Sequence, residues 1–163
     1  MNILIAGATG FIGYKLTLSL KKKHVITVIT RNSEKARKLF PSTDIHIETW
    51  ESLQQKSGSL IPKQNVIINL CGANISEKRW SKKRKKVLLD SRLIPTETLL
   101  QLCKDTQSSP TLINASGIGI YGNNNPGDNI PATESTPLPK TPTDFLAELS
   151  AKWEHCAYFN KQK

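Results

Sequence analysis

The sequence contains no apolar run approaching the roughly 20 residues that a helix needs to cross a bilayer, so a membrane-spanning role is excluded and no membrane partner is expected. No positively charged segment precedes an apolar one at the start, and no small-residue cleavage pattern follows, which argues against a secretory leader and for a cytoplasmic protein. Cysteine is sparse: Cys71, Cys103 and Cys156 are widely spaced, form no Cys-x-x-Cys pair, and do not cluster with His24, His46 or His155. A disulfide framework and a metal site are therefore not expected, and free thiols in a reducing compartment are the simplest reading. Acid is also short. Against 23 Lys and Arg stand 13 Asp and Glu, a net charge of +10, which favours anionic partners such as phosphorylated cofactors or nucleic acid without separating them.

At 163 residues the chain has the length of one domain, expected to span 1–163. Alternation of strand and helix patterns runs through it. Residues 2–6 are a continuous apolar run of the kind buried on both faces of a parallel sheet. A glycine-rich turn follows, and residues 11–22 read as a helix with Ile12, Leu16 and Leu20 on one face and Lys21 to Lys23 at its end. Strands are expected over 24–30, 44–49, 65–70 and 111–115, and helices over 33–39, 81–104 and 144–159. Asn32 or Ser33 offers a cap for the second helix, and Pro95 is expected to kink or divide the long one. The polar segment 51–64, broken by Gly58 and Pro62, reads as mostly loop with at most one helical turn. Residues 123–142, rich in Pro, Asn and Gly, read as a long loop. Five strands alternating with helices give an α/β doubly wound parallel sheet, a Rossmann fold, and right-handed crossovers give the strand order 3-2-1-4-5.

The turn Gly7-Ala8-Thr9-Gly10-Phe11-Ile12-Gly13 carries the first chemical signal. A dinucleotide pyrophosphate must approach the backbone more closely than a side chain allows, and a helix N-terminus supplies free N–H groups and a positive dipole end. A lone GxxGxxG is weak evidence. Here it follows a buried strand and opens a helix, which is the context the motif requires. Gly7, Thr9, Gly10, Phe11, Ile12 and Gly13 are therefore expected to bind a nucleotide cofactor. At the end of the second strand, where NAD sites usually hold the ribose 2′-OH with an acid, the residues are Thr30 and Arg31. A cation there suits a 2′-phosphate, so NADP(H) is favoured over NAD(H).

Taken in order, Gly7 to Gly13, Thr30-Arg31-Asn32, Asn69-Leu70-Cys71-Gly72, Lys78-Arg79-Trp80, Ser91-Arg92, the run from Ser116 to Gly122, Asp144-Phe145-Leu146-Ala147 and Trp153-Glu154 resemble an atypical branch of the extended short-chain dehydrogenase/reductases. That branch is the NAD-dependent epimerase/dehydratase, or sugar-nucleotide epimerase, family, and the resemblance covers essentially the whole chain. It implies that Leu70, Cys71 and Gly72 pack beside the adenine ribose and pyrophosphate, with Cys71 in place of the usual Ala. It implies that Arg92 reaches from its helix toward the cofactor, and that Ser116 occupies the active-site serine position, with Tyr121 in the next turn. The implied function is an NADP(H)-binding oxidoreductase or epimerase acting on a nucleotide sugar or another small carbonyl substrate.

The departures are equally specific. The superfamily's Tyr-x-x-x-Lys pair, aligned on Trp153-Glu154, falls at Leu146 and Ser150, which can do neither job, while Lys152 and Tyr158 lie out of register. Ser116 and Tyr121 remain as catalytic candidates, and slow catalysis or a non-catalytic nucleotide-binding module is the alternative. Members of the family run to about twice this length, so the chain resembles the N-terminal half without the C-terminal substrate subdomain. If it ends at Lys163, the fifth strand is a sheet edge, and its apolar residues would favour a homodimer. The basic run Lys78 to Lys86, with Trp80 beside it, suits contact with nucleic acid. Because Lys78-Arg79-Trp80 is also matched in the epimerase-like family, a solvated helix end is the favoured reading over a nucleic-acid partner.

Overall fold

The computed structural model describes residues 1–41, 44–122 and 131–159. Strands β1 (Asn2–Ala6), β2 (Val25–Thr30), β3 (Ile45–Thr49), β4 (Val66–Asn69) and β5 (Thr111–Asn114) form one sheet in the order β3-β2-β1-β4-β5. All four pairings are parallel, with Ile5 opposite Val28 on one side and Ile68 on the other. The expected order is the observed one, because each right-handed crossover leaves only one place for the next parallel strand.

The nearly continuous run of apolar and β-branched residues in β1, β2 and β4 explains why these strands are buried on both faces. Ile3, Ile5, Ile26, Val28 and Ile68 point into one cluster with Phe40 and Ile45, while Leu4, Ala6, Ile29 and Ile67 point into another with Leu99 and Leu102. The first cluster is closed by α1 (Phe11–Leu20) through Tyr14, Leu16, Leu18 and Leu20. Ile12 departs from the expected face. It is 67% exposed, and the neighbouring Phe11 is 88% exposed; Gly13 and Thr17 take the buried positions instead. The cause is the close seat of Gly13 on the turn below it, which rotates the first turn of α1 outward.

The helix α2 (Ser33–Leu39) starts where expected, because the Asn32 side chain accepts the Lys35 N–H at 2.8 Å. The segment expected to be loop is helical instead, with α3 (Trp50–Gln55), α4 (Ser57–Leu60) and a 3-10 turn at Ile61–Lys63. Polar composition hid its apolar positions: Leu53 and Ile61 are fully buried in the second cluster, with Trp50 and Leu60 against it, and Thr49 caps the first turn by accepting the Ser52 N–H at 3.1 Å. Tertiary burial overrides weak propensity here. Pro62 sits in the first turn of its short helix, where a missing N–H costs nothing.

The helix α5 (Lys82–Asp105) runs unbroken through Pro95, which does not divide it. Just beyond the proline, Thr96 Oγ1 donates to the Arg92 carbonyl at 2.7 Å and Thr98 Oγ1 to that of Ile94 at 2.8 Å, holding the turn closed. After β5 comes a 3-10 turn at Ile118–Tyr121, and α6 (Phe145–Phe159) closes the described chain, its start capped by Asp144 Oδ1 on the Ala147 N–H at 2.8 Å. Residues 131–142 are turns and bends, as expected of the long loop; 123–130 lie outside the described residues. No helix among the described residues is long and apolar enough to cross a membrane.

Candidate functional site

At the carboxyl end of β1 the three glycines of the turn have different causes. Gly7 has φ +84, and a Cβ there would stand 2.7 Å from the carbonyl of Leu70 and 3.0 Å from the Cys71 nitrogen. Only glycine fits, because the conformation is left-handed and another backbone lies against it. A Cβ at Gly13 would run into the Gly7 oxygen and come within 2.7 Å of the Ala8 Cα, so this glycine lets α1 seat directly on the turn. Gly10 differs. Its backbone is extended, φ −81 and ψ 173, and a Cβ would meet nothing closer than the Gly7 oxygen at 3.3 Å. Packing of the described chain presses on a side chain there by a few tenths of an ångström only, far less than at Gly7 or Gly13.

Gly10 is also the residue preceding α1, and it brings no side chain to cap it. The N–H groups of Phe11 and Ile12 lie in the first turn, where no intrahelical acceptor exists. They stand in a region where the two side chains are exposed. Open donors, a positive dipole end and a residue with no Cβ form a cradle suited to a phosphate.

The end of β2 supplies the next residues. Thr30 is buried, and its hydroxyl accepts the Asn32 N–H at 3.1 Å, which shapes the turn into α2. Arg31 is exposed and makes no ion pair among the described residues. Its charge is felt at Cys71: burial pushes that thiol up to about 11, and the Arg31 guanidinium pulls weakly the other way. Arg31 and Cys71, distant in sequence, therefore stand on the same end of the sheet as the glycine turn.

Leu70, Cys71 and Gly72 leave β4 across the back of Gly7. Their path is held from below. Asn69, fully buried, accepts the Cys71 N–H on its Oδ1 at 3.2 Å and donates from Nδ2 to Thr96 Oγ1 at 2.8 Å and to Asn114 Oδ1 at 2.7 Å. Thr96 Oγ1 in turn accepts the Trp153 indole N–H at 3.1 Å. One buried polar network thus ties β4, β5, α5 and α6 together. The resemblance placed Asn69 in this stretch, but Thr96, Asn114 and Trp153 were not read as its partners; an Asn ending each of two neighbouring strands is the one signal that was available.

Arg92 lies over Gly72, where a Cβ would be 2.9 Å from its Cζ. It donates to the carbonyls of Ala73 at 3.3 Å and Leu88 at 3.0 Å, and its guanidinium stacks 5.2 Å from the Trp153 ring. Ser91 adds a second tie, its hydroxyl accepting the Ala73 N–H at 2.9 Å. Arg92, expected to reach toward a cofactor, thus joins Ser91 in holding the loop that would carry one.

At the end of β5, Ser116 is exposed, and its hydroxyl donates to Glu154 Oε1 at 2.5 Å. Tyr121 ends the following turn, half-buried. The α6 positions that align with the superfamily pair do face this segment: a Cβ at Gly119 would stand 3.0 Å from Leu146 Cβ, and one at Gly117 would stand 3.1 Å from Ser150 Oγ. Lys152 is committed elsewhere, to Glu148 one turn back at 2.5 Å, and Tyr158 is largely exposed. The Glu154 contact was missed in the sequence because nothing in its spacing distinguishes it from a solvated helix acid.

The basic run is partly spent on local structure. Arg84 donates to the Asn74 carbonyl at 2.6 Å and pairs with Glu77 at 2.9 Å, Lys86 pairs with Asp90 at 2.7 Å, and Lys85 lies 4.9 Å from the Phe145 ring. Trp80 packs edge-on against Phe145 at 5.5 Å and donates its indole N–H to the Ile75 carbonyl at 2.7 Å. These contacts fold the segment before α5 onto the start of α6.

Comparison with known proteins bears on this arrangement directly. Residues 3–160 match the model of the NAD dependent epimerase/dehydratase family. The chain is 34% identical over 162 residues to the chloroplastic epimerase family protein SDR39U1 homolog of Arabidopsis thaliana, covering 96% of this chain and 44% of that protein. It is 35% identical over 157 residues to epimerase family protein MT2273 of Mycobacterium tuberculosis, covering 93% and 46%. Among solved structures, human epimerase family protein SDR39U1 with NADPH superposes with a TM-score of 0.75 at 28% identity over 96% of this chain and 48% of that one. The Bacillus cereus UDP-glucuronic acid 4-epimerase with UDP-glucuronic acid and NAD shares the fold, with a TM-score of 0.78 at 19% identity. The chain spans about half the length of the relatives it matches.

Proposed function

The chain belongs to the NAD dependent epimerase/dehydratase family, and from that premise we propose that it binds NADPH at the β1–α1 turn in preference to NADH. The pyrophosphate would lie against the N–H groups of Phe11 and Ile12, in the space that Gly10 leaves open, with Gly7, Thr9 and Gly13 shaping the turn. Arg31 would hold the 2′-phosphate beside Thr30. The strip formed by Leu70, Cys71 and Gly72, braced by Arg92, would form the opposite wall. When bound, the cofactor supplies or accepts hydride; the residues on this chain bind it, orient it and handle the proton at Ser116.

The observation that carries the reading is Gly10. A glycine whose backbone is extended and whose packing is the loosest of the three, set before a row of unmet donors, makes sense when a ligand needs the space. Arg31, a cation with no ion pair among the described residues and placed where an acid would select NADH, supports the choice of cofactor, as does the NADPH in the structure of the human relative. Calorimetric titration with NADPH and NADH tests it: the expected result is tighter NADPH binding, and equal affinities would refute the preference.

The substrate side is read as that of a nucleotide sugar or another small carbonyl compound, with Ser116 and Tyr121 as the groups next to it. A second reading, a nucleotide-binding module without turnover, is favoured by Leu146 and Ser150, which replace both groups of the proton-transferring pair. Turnover of carbonyl compounds and sugar nucleotides by this chain is therefore expected to be slow. A rate abolished by Ser116→Ala or Tyr121→Phe selects the enzyme. Among the described residues β5 is a sheet edge, with Ile113 51% exposed; a homodimer paired there is the assembly read for a chain of these 163 residues, and light scattering that gives a monomer at high protein and salt concentration would exclude it.

A further inference from the structure

Three successive turns of α6 face the segment that follows β5. Leu146 packs on Gly119, Ser150 on Gly117, and Glu154 meets Ser116. The spacing of four keeps these three side chains on one side of the helix. Two of them are the positions where the family's superfamily keeps its tyrosine and lysine, and both are chemically inert here. The third is a carboxylate. It is half-buried, and its one hydrogen bond among the described residues goes to an exposed hydroxyl at the carboxyl end of the sheet. The other acid of α6, Glu148, has a different role: it is paired with Lys152. We propose that Glu154 is the proton-holding partner of Ser116, so that the two form a hydroxyl–carboxylate relay that stands in, two turns along the same helix face, for the missing tyrosine and lysine.

The chemistry balances with a nicotinamide cofactor as the redox partner, and in that respect the inference rests on the function proposed above. In the reducing direction the substrate's carbonyl carbon gains a hydride from the reduced cofactor, which is thereby oxidised. The C=O π bond breaks, and the oxygen takes the proton of Ser116 Oγ. Ser116 regains a proton from solvent, handed on by Glu154, which begins and ends the cycle as the carboxylate that accepts the serine O–H. In the oxidising direction each step reverses: the carbinol O–H proton passes to Ser116 Oγ, and the serine proton passes to the Glu154 carboxylate, along the hydrogen bond already present. Ser116 touches the reacting oxygen. Glu154 acts through it, as a positioning and proton-holding residue.

The pair can be read without turnover. In cofactor-free protein carrying 13C-labelled glutamate, the Glu154 carboxyl resonance is expected to shift when Ser116 is changed to Ala; no shift means the contact is absent in solution and overturns the proposal. With NADPH and a panel of carbonyl acceptors, Glu154→Gln is expected to lower kcat by on the order of 10²-fold, the range of one lost acid–base partner, with KM and NADPH affinity little changed, while Glu148→Gln changes none of them. Formate is expected to restore part of the rate in Glu154→Ala, which a purely structural role would not permit. A parent protein that binds NADPH yet reduces none of the acceptors, or a Glu154→Gln protein that turns over like the parent, overturns the relay alone. Failure of the parent to bind NADPH brings down the reading on which it rests, and calorimetry separates the two.

Discussion

The two ends of the sheet's carboxyl edge are built on opposite terms. At the β1–α1 turn the chain withholds side chains: Gly7, Gly10 and Gly13 leave the backbone bare, and the donors of the first helical turn unmet. Beyond β4 and β5 the chain does the reverse, filling the interior with polar side chains that satisfy one another, from Asn69 through Thr96 and Asn114 to Trp153. The first region is poised for a ligand to complete. The second is complete in itself, save for Ser116, Glu154 and Tyr121 at its surface. The nucleotide binding and the proton handling proposed for this half-length chain thus rest on different regions, and substitutions should part them.

The largest effects belong to the glycines, and they should differ in kind. Gly13→Val drives a branched side chain into the Gly7 carbonyl and the Ala8 backbone; overpacking of that sort costs on the order of 3 kcal/mol or more, and a large fall in thermal midpoint is expected. Gly10→Val keeps an extended conformation that valine tolerates, and its Cβ meets only the Gly7 oxygen, at 3.3 Å, a far smaller overlap than at Gly13. NADPH binding should vanish while the melting curve and circular dichroism stay near those of the parent. Retained binding in Gly10→Val would show that the turn is structural throughout, and the contrast between the two ends would disappear.

On the other side of the comparison, Thr96→Val keeps the shape and removes the hydroxyl. The Trp153 indole N–H and one Asn69 amide proton then lose their acceptor in a buried setting. At about 1–3 kcal/mol for an unsatisfied buried group, the urea midpoint should fall by the equivalent of about 3 kcal/mol. NADPH affinity should change far less than stability does. An affinity loss as large as the stability loss would mean that the network is part of the cofactor site.

Arg31→Ala comes next. Loss of a charge-assisted phosphate contact is worth on the order of 2 kcal/mol, so NADPH affinity should drop about thirtyfold while NADH affinity stays within a few-fold. A uniform loss for both cofactors would assign Arg31 to the pyrophosphate or to general attraction instead of the 2′-phosphate.

The same contrast explains what could be read in the sequence. The strands, their order and the glycine turn are local signals: continuous apolar runs, glycines at fixed offsets, a capping Asn32. They were legible because each is enforced by its own neighbours. The helices α3 and α4 were not, because Leu53 and Ile61 are too few to show a period among polar residues and their burial is set by α5 above them. Ile12 was misplaced for a related reason, since the 3.6-residue pattern does not know that Gly13 seats the helix so closely. In the candidate site, the strip Leu70 to Gly72 was singled out by family motifs, whereas the Asn69 network and the Ser116–Glu154 contact join residues 18 to 57 positions apart and no spacing rule announces them.

Cys71 lies where the two regions touch, and the smallest effect is expected there. Its backbone does the joining: the N–H is held by Asn69 Oδ1, and the same nitrogen backs on Gly7. Its thiol, raised to about 11 by burial, is uncharged at neutral pH despite the pull of Arg31, so it neither repels a bound anion nor attracts one. The family resemblance implies Ala at this position, a residue with the same backbone and no sulfur. Cys71→Ala should therefore leave NADPH affinity within about twofold of the parent, far below the tenfold that 1.4 kcal/mol would bring. The cost in stability should stay near 1 kcal/mol, the transfer value of one small buried group. Titration of the variant by calorimetry decides it. A change of tenfold or more would make the sulfur itself a cofactor contact, and the boundary between the two regions would run through a side chain instead of the backbone.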